Sequence, residues 1–347
     1  MRIAISLGGR DWDEVATYVR EAERLGVAVA WSAEAWGSDA VTPLAWLAAK
    51  TDTILLGAGI MQISARAAVM TAQTALTLSE LSGNRFLLGL GVSGPQVVEG
   101  LHNQGFRRPV ERMRETVDVI RLALSGERLS YEGRHIRLPL PDGEGKALRL
   151  ALRPNPSVPI YIASLSPKML ELTGEVADGW LGTSFVPEGA DAFLAHLRTG
   201  AERAGRSLDD IDVSQGGDVA FSDDVERLVA ERKPRLAFSL GGMGSATTNF
   251  YNNAYSRQGW AEVADEVRRL WVDGRRDEAA AAVPDEMVFA TTLIGTEEMV
   301  RERMRAWREA GVTTLRLYPD GETVTQRLAT LGRAMDIAAG LERVATR

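Results

Sequence analysis

The chain has 347 residues, of which 45% are hydrophobic and 25% are charged, and its net charge at pH 7 is −7. A chain of this length and composition can bury a large core, and its acidic balance offers no basic surface for nucleic acid. It contains no cysteine and only three histidines, which are scattered along the chain. These counts exclude disulfides and thiolate metal sites and argue against a zinc site.

The sequence gives no indication of a membrane segment. No apolar run approaches the roughly 18 residues that a membrane-spanning helix needs. The first residues enter an apolar alternation at once and do not have the layout of a signal peptide. We therefore expect a cytoplasmic protein that binds neither membrane nor nucleic acid.

Short β-rich segments alternate along the chain with longer amphipathic ones. Strand–helix pairs of this length predict parallel strands joined by right-handed crossovers. The predicted strands cover residues 2–7, 27–33, 53–60, 85–91, 158–163, 179–182, 211–221 and 312–318. The predicted helices cover residues 11–25, 42–50, 67–81, 109–124, 167–177, 190–204, 297–310 and 324–344. Eight such pairs predict an α/β fold, a closed (β/α)8 TIM barrel, rather than an open sheet.

Two segments interrupt this alternation. Residues 127–157 place several glycines and prolines around short alternating stretches, which predicts a β-hairpin insertion before the fifth strand. Residues 223–295 are mainly helical in pattern, with a glycine-rich break at 241–244, and predict a helical insertion between the seventh and eighth strands. Because no repeat and no linker is present, residues 1–347 are expected to form a single domain.

Candidate functional residues follow the second strand. In such barrels the active site lies at the carboxyl ends of the strands. Glu34, Trp36 and Asp39 come at that point in the sequence. A planar aromatic wall beside a carboxylate suits a flat ring cofactor and proton transfer. Asp39 could also cap the next helix, so Glu34 is the stronger candidate for a functional carboxylate.

Glycines follow the third and fourth strands. Gly59 could allow close backbone approach to a ligand, or it could mark a bulge. Ser93 and Gly94 lie in a glycine-rich segment without the G-x-G-x-x-G spacing of a dinucleotide-binding turn. His102, in the loop beyond, could donate a proton, although a surface or structural role is the simpler interpretation.

Hydroxyl groups follow the fifth and sixth strands. The fifth strand leads from Ala163 through Ser164 and Leu165 to Ser166, where the next helix is expected to begin. Hydroxyls and free N–H groups at a helix N-terminus can bind an anion, whereas Ser166 could simply cap the helix. Thr183, after the sixth strand, could complete a phosphate site from a neighbouring loop.

Five segments carry a resemblance to a known family: WSAEAWGSDAVTPLAWLAAKT, ILLGAGI, LSGNRFLLGLGVSGPQVVEG, VPIYIASLSPKMLELTGEVADGWLGTSF and EAGVTTLRLYP. They resemble the luciferase-like, deazaflavin-dependent oxidoreductases, and within that family the branch similar to methylene-tetrahydromethanopterin reductase. The resemblance runs in matching order along nearly the whole chain and is weakest around residues 233–282.

The resemblance implies a site for coenzyme F-420 at the barrel mouth. It implies a non-prolyl cis peptide at Gly59–Ile60 and an acidic residue beside the deazaflavin ring at Glu34, with Asp39 as the alternative. Further positions match residues that reach the ring, its side chain or its phosphate in the family: Ser93, Gly94, Ser164, Leu165, Ser166 and Thr183. Members of the family are often homodimers.

The reaction implied is hydride transfer between the deazaflavin C5 and a C=C or C=N bond of a small-molecule substrate, or the reverse reaction on an alcohol. Glu34 is the first candidate for the proton donor, followed by His102 and Asp39. Two departures from the family leave the donor and the substrate pocket open. Ala35 stands where relatives often have histidine, and residues 99–103 read EGLHN where close relatives read EGWHG.

Three alternatives remain. An FMN-dependent monooxygenase would use the same barrel and the same phosphate loops. A non-catalytic barrel that binds deazaflavin is suggested only by Ala35. A phosphate-binding isomerase or aldolase lacks a convincing lysine at a strand end. The acidic tail of coenzyme F-420 would need cations at the mouth, for which Arg66 and Lys168 are candidates, although both are readily explained as surface charges.

Overall fold

The computed structural model describes residues 1–9, 11–35, 37–244 and 249–345. Its strands are β1 (Arg2–Ser6), β2 (Val29–Ser32), β3 (Leu55–Ala58), β4 (Met61–Gln62), β5 (Phe86–Gly91), β6 (Tyr131–Glu132), β7 (Arg137–Leu138), β8 (Ile160–Ala163), β9 (Gly179–Leu181), β10 (Asp212–Phe221), β11 (Leu293–Gly295) and β12 (Thr314–Pro319). Parallel pairing runs β1, β2, β3, β5, β8, β9, β10, β12 and returns to β1, which closes an eight-stranded barrel. The predicted (β/α)8 barrel is confirmed.

Helices surround the barrel. They are α1 (Trp12–Arg24), α2 (Val41–Ala48), α3 (Ala68–Leu81), α4 (Pro95–Leu101), α5 (Pro109–Leu124), α6 (Pro167–Val176), α7 (Asp191–Arg203), α8 (Val225–Ala237), α9 (Phe250–Tyr255), α10 (Ala261–Val272), α11 (Arg276–Ala281), α12 (Asp285–Thr291), α13 (Glu297–Glu309) and α14 (Val324–Ala345). The short helix α4 was not predicted. In the described part of the chain, no helix combines the length and apolar character needed to cross a bilayer.

Large side chains fill the inside of the barrel, and glycines make room for them. Trp31 from β2 is 2% exposed and packs edge-on against Tyr161 from β8, with 5.2 Å between ring centroids. A Cβ at Gly57 of β3 would lie 2.2 Å from the Trp31 ring, so only glycine fits there. The barrel is therefore a packed core that leaves its carboxyl-end rim free to bind ligands.

The predicted hairpin is present before β8. Strands β6 and β7 pair in antiparallel register. Glu115 of α5 accepts hydrogen bonds from the backbone N–H groups of Arg134, His135 and Ile136, each at 2.8 Å. One buried carboxylate thus fastens the hairpin turn to the helix.

The second insertion contains helices α8–α12 and the additional strand β11, which pairs in parallel with the end of β10. The sequence predicted only its helices. Its apolar side chains form a second core, which also includes Val186 and Ala220 from the barrel side. The insertion is therefore packed onto the carboxyl-end half of the barrel, next to the loops that follow β9 and β10.

Candidate active site

The predicted site residues meet at one rim of the barrel. Glu34, Gly59, Ser93, Ser164 and Thr183 follow β2, β3, β5, β8 and β9, which are consecutive in the barrel order. The carboxyl ends of parallel strands lie on the same side, so these loops form a continuous arc. Trp36, predicted as part of the ring site, lies outside the described residues.

Glu34 is buried and fully engaged. Its side-chain Oε1 accepts hydrogen bonds from Arg66 Nη1 at 2.5 Å and from the Gln62 backbone N–H at 3.0 Å. Its Oε2 accepts from the Ala40 N–H at 3.2 Å. Burial alone would raise the pKa of the Glu34 carboxyl, but these hydrogen bonds and the Arg66 charge outweigh burial and hold the pKa below its usual value. The group is therefore an ionised carboxylate that connects three segments of the mouth.

Asp39 caps helix α2. Its Oδ1 accepts from the backbone N–H groups of Val41 and Thr42, each at 2.8 Å. Partial burial would raise its pKa, but the bonds to Thr42 and Val41, together with the charge of Arg66, lower it. The side chain is exposed and ionised, so the capping interpretation of Asp39 is confirmed.

The peptide bond between Gly59 and Ile60 is cis, as predicted. The Gly59 N–H donates to the carbonyl of Ser32 at 2.5 Å, which anchors the segment to the end of β2. Ile60 then packs over β5, where a Cβ at Gly91 would lie 2.1 Å from Ile60 Cδ1. Gly91 of β5 therefore lets this bulge lie close against the barrel.

Ser93 and Gly94 form the turn from β5 into α4. Ser93 has a positive φ of 58°, and the Gly94 carbonyl accepts from the N–H groups of Val97 and Val98. Both residues are half-buried at the rim, next to the bulge. They present backbone rather than bulky side chains to the mouth.

His102 ends α4 and lies beside the loop that follows β4. Its Nδ1 is 2.7 Å from Ser64 Oγ, and its side chain is partly exposed. The imidazole therefore holds two loops together. A proton-transfer role for His102 stays a prediction.

The two serines in the loop after β8, Ser164 and Ser166, have different environments. Ser164 is buried, with its Oγ 2.8 Å from Thr173 Oγ1, and its carbonyl accepts from Trp180 Nε1 at 2.9 Å. Its side chain points into the protein rather than into the mouth. Ser166 precedes α6 and, within the described residues, makes no capping hydrogen bond. Ser166 thus occupies the N-cap position of α6, as the capping alternative predicted, but its hydroxyl does not bond to the first turn.

The second insertion contributes residues that sequence reasoning missed. Arg257 donates a hydrogen bond to the Leu165 carbonyl, which places a guanidinium beside the start of α6. Gln258 is buried, donates to the Ser184 carbonyl at 2.7 Å and accepts from the Val186 N–H at 2.7 Å. Gln258 thus fixes the loop that carries the exposed Thr183. No local pattern connects these residues to loops more than 70 positions earlier.

Sequence reasoning also missed a polar group at the end of β12. Tyr318 Oη accepts from Arg316 Nε at 3.0 Å, and Arg316 Nη2 donates to the Gly182 carbonyl at 3.1 Å. Arg235 of α8 lies over the Tyr318 ring, 5.6 Å from its centroid, and pairs with Asp218 at 2.9 Å. Polar residues at alternate positions of a buried strand were the available signal.

The donor set on the β8–β9 side fits a phosphate group. The Ser166 hydroxyl and the first-turn N–H groups of α6 lie beside Arg257, which donates to the Leu165 carbonyl. Thr183 is exposed in the loop after the neighbouring strand β9. Helix N-termini and guanidinium groups stabilise anions. The cis bulge and the turn at Ser93 form an adjoining rim of backbone, which suits a flat ring. The residues present therefore fit a phosphate-bearing ring cofactor.

A closed parallel barrel with such a site defines a cofactor-binding α/β-barrel protein. Comparison with known sequences then assigns its family. The chain belongs to the luciferase-like monooxygenase family, whose model matches residues 2–314.

Individual relatives agree with this assignment. A Mycobacterium tuberculosis protein, provisionally named a coenzyme F-420-dependent oxidoreductase, is 42% identical over 308 residues, which cover 86% of this chain and 89% of that protein. The 5,10-methylenetetrahydromethanopterin reductase of Archaeoglobus fulgidus is 30% identical, covering 86% and 87% of the two chains. The solved structure of the coenzyme F-420-dependent tetrahydromethanopterin reductase from Methanopyrus kandleri superimposes with a TM-score of 0.80 at 24% identity, covering 95% and 97%.

Proposed function

We propose that this chain is a coenzyme F-420-dependent oxidoreductase that transfers a hydride between the deazaflavin and a C=C or C=N bond of a small organic substrate, or between the deazaflavin and an alcohol–carbonyl pair. The observation that carries the proposal is the donor set at the start of α6, in a chain whose 42% identical relative bears that functional name. Two-electron hydride transfer is the chemistry that the reduced deazaflavin supplies when it is bound.

Different residues of the barrel mouth would contact different parts of the cofactor. Ser166, Thr183, Arg257 and the first-turn N–H groups of α6 would bind the phosphate. The backbone at Gly59–Ile60 and the turn at Ser93 would contact the ring. Such contacts orient the ring and leave one face to the substrate, which is how a protein accelerates a reaction whose chemistry belongs to its cofactor.

Glu34 is better placed to hold this site than to donate a proton. A general acid must carry its proton near the working pH, and the Glu34 carboxyl has a lowered pKa and three hydrogen-bond donors. We therefore propose that Glu34 and Arg66 position the loop after β2 and the bulge, and that another group completes the proton transfer.

One alternative has a specific observation in its favour. The family is described by its monooxygenase members, so an FMN-dependent monooxygenase would also fit this barrel. FMN and coenzyme F-420 both carry a phosphate and a flat tricyclic ring. The proposed phosphate donors at the start of α6 would therefore bind either cofactor.

A titration of the purified protein with coenzyme F-420 and FMN, side by side in a calorimeter, tests the proposal. We expect micromolar or tighter binding of coenzyme F-420 and much weaker binding of FMN. Preference for FMN would favour the monooxygenase, and binding of neither would overturn the proposed function. A substrate-dependent change in the absorbance of bound cofactor would then eliminate a non-catalytic binding protein.

We also propose that the protein acts in the cytoplasm as a homodimer. Trp46 of α2 and Met70 and Leu81 of α3 are 43%, 53% and 60% exposed, and exposed large apolar side chains favour association. Analytical ultracentrifugation would distinguish a dimer from a monomer.

A further inference from the structure

The polar group at the end of β12 lies at the same mouth as the cofactor-binding loops, on the other side. Thr314, Arg316 and Tyr318 occupy alternate positions of β12. In the ring of eight strands, β12 is four strands away from β5 in either direction and is therefore opposite the turn at Ser93. A ligand held against that turn and the bulge would have its free side toward Tyr318. Tyr318 keeps part of its surface exposed at this end of the barrel.

Glycine 216 creates the room for this side chain. A Cβ at Gly216 of β10 would lie 3.0 Å from Tyr318 Cε2 and 3.1 Å from Arg316 Nε. Both side chains therefore lie over β10 because that position has no side chain of its own. Arg316 is in turn held by the Gly182 carbonyl, one residue before Thr183 of the proposed phosphate site. Hydrogen bonds through Arg316 thus link the Tyr318 hydroxyl to the backbone next to Thr183.

Positively charged groups surround the Tyr318 hydroxyl, and its pKa shifts in the opposite direction to that of the other five tyrosines. The groups that face Tyr318 are Arg316 on β12, Ser6 on β1 and Arg235 on α8, with Asp218 of β10 paired to Arg235. Burial raises the pKa of the Tyr318 hydroxyl, but the Arg316 charge and hydrogen bond, with Ser6 and Arg235, outweigh burial and lower the pKa. Burial raises the pKa of the other five: Tyr18, Tyr131, Tyr161, Tyr251 and Tyr255.

We propose that Tyr318 is the catalytic proton donor of this enzyme, that Arg316 positions it, and that the reducible bond of the substrate is a carbonyl or an imine. This inference rests on the proposed function. The substrate carbon accepts the hydride, and its oxygen or nitrogen takes the proton from Tyr318 Oη, which leaves an alcohol or amine. The phenolate, stabilised by Arg316, regains its proton from water. A polar bond is assigned because its heteroatom receives the proton directly.

Two variants test this role. Tyr318→Phe removes only the hydroxyl. Tyr131→Phe is the matched control because Tyr131 belongs to β6 of the hairpin and its hydroxyl bonds to Asp118 of α5. In a tyrosinate absorbance titration, we expect one tyrosine of the wild type to ionise before the others. That first step should be lost in Tyr318→Phe and kept in Tyr131→Phe. A first step that persists in Tyr318→Phe would overturn the assignment.

Turnover supplies the second readout, with reduced coenzyme F-420 and a panel of small ketones, aldehydes and cyclic imines. We expect Tyr318→Phe to bind coenzyme F-420 as the wild type does and to oxidise it at least about 100-fold more slowly, the range of general acid catalysis. The wild-type rate should fall at high pH as the phenol ionises. Equal rates in both proteins, or no reaction with any member of the panel by a protein that binds coenzyme F-420, would overturn the inference. Failure to bind coenzyme F-420 would instead overturn the proposed function.

Discussion

The carboxylate of Glu34 and the guanidinium of Arg66 lie 2.5 Å apart, with the Glu34 side chain 6% and the Arg66 side chain 21% exposed. This pair joins the loop after β2 to the loop after β4, on either side of the cis bulge. A surface pair contributes little to stability, whereas breaking a buried, hydrogen-bonded pair leaves a charge without compensation. The shape of the cofactor rim therefore depends on Glu34 remaining ionised.

Glu34→Gln should destabilise the protein and weaken cofactor binding together. The amide keeps the shape but loses the charge opposite Arg66, so we expect a loss of about 1–3 kcal/mol in the free energy of unfolding. Urea unfolding and a coenzyme F-420 titration measure the two effects. Glu21→Gln, which breaks the surface pair with Arg24, is the control and should change neither. Full stability and full cofactor affinity with lost turnover would instead support Glu34 as the proton donor.

The same pair predicts a dependence of stability on acid pH. The folded-state pKa of Glu34 lies below its usual value of 4.5, so its contribution is present above that pH and is lost as pH falls through the lowered folded value. The difference in unfolding free energy between wild type and Glu34→Gln should therefore be constant above the usual pKa of 4.5 and shrink as the pH falls below it. A difference that does not change with pH would mean that the carboxylate is not specially stabilised in the folded state.

Gly91→Ala should displace the bulge. The new methyl would lie 2.1 Å from Ile60 Cδ1, so Ile60 must move away from β5. We expect a destabilisation of about 1–3 kcal/mol and weaker binding of coenzyme F-420, measured by thermal unfolding and calorimetry. The double variant Gly91→Ala with Ile60→Ala removes the clash and should recover part of the stability. Gly100→Ala, where a Cβ meets no atom within 4 Å, is the control. Unchanged cofactor affinity in Gly91→Ala would mean that the bulge does not contact the cofactor ring.

Arg257→Gln should weaken binding of coenzyme F-420 by about tenfold, because a charge-assisted contact beside the start of α6 is lost. The loss should decrease at high salt, where the contribution of the cation is screened. Calorimetric titrations at two salt concentrations provide the measurement, and Arg198→Gln, an exposed arginine on α7, is the control. Identical affinity in Arg257→Gln and wild type would place the phosphate elsewhere at the mouth.

Much of the framework was predictable from local sequence. Each barrel strand is a short β-rich segment between turn residues. This local pattern indicates that the segment is a buried strand without information about the elements that it packs against. The same pattern located the loops at the carboxyl ends, and the capping geometry of Asp39 follows from residues within three positions of it. The seven-residue helix α4 and the three-residue strand β11 were missed because segments so short carry little periodicity.

The sequence by itself determined the barrel, the positions of its loops and the family resemblance, since all three depend on residues that are close along the chain or on their order. Only the tertiary structure decided which charged and polar groups lie in contact. Arg257 meets the Leu165 carbonyl across 92 positions, and Arg316 meets the Gly182 carbonyl across 134. The hydrogen-bond partners of Glu34, Ser164 and Tyr318 likewise lie far away in the sequence or were not predicted from it. Protonation and hydrogen bonding depend on distance in space, and closing the barrel brings together residues that no spacing in the sequence connects.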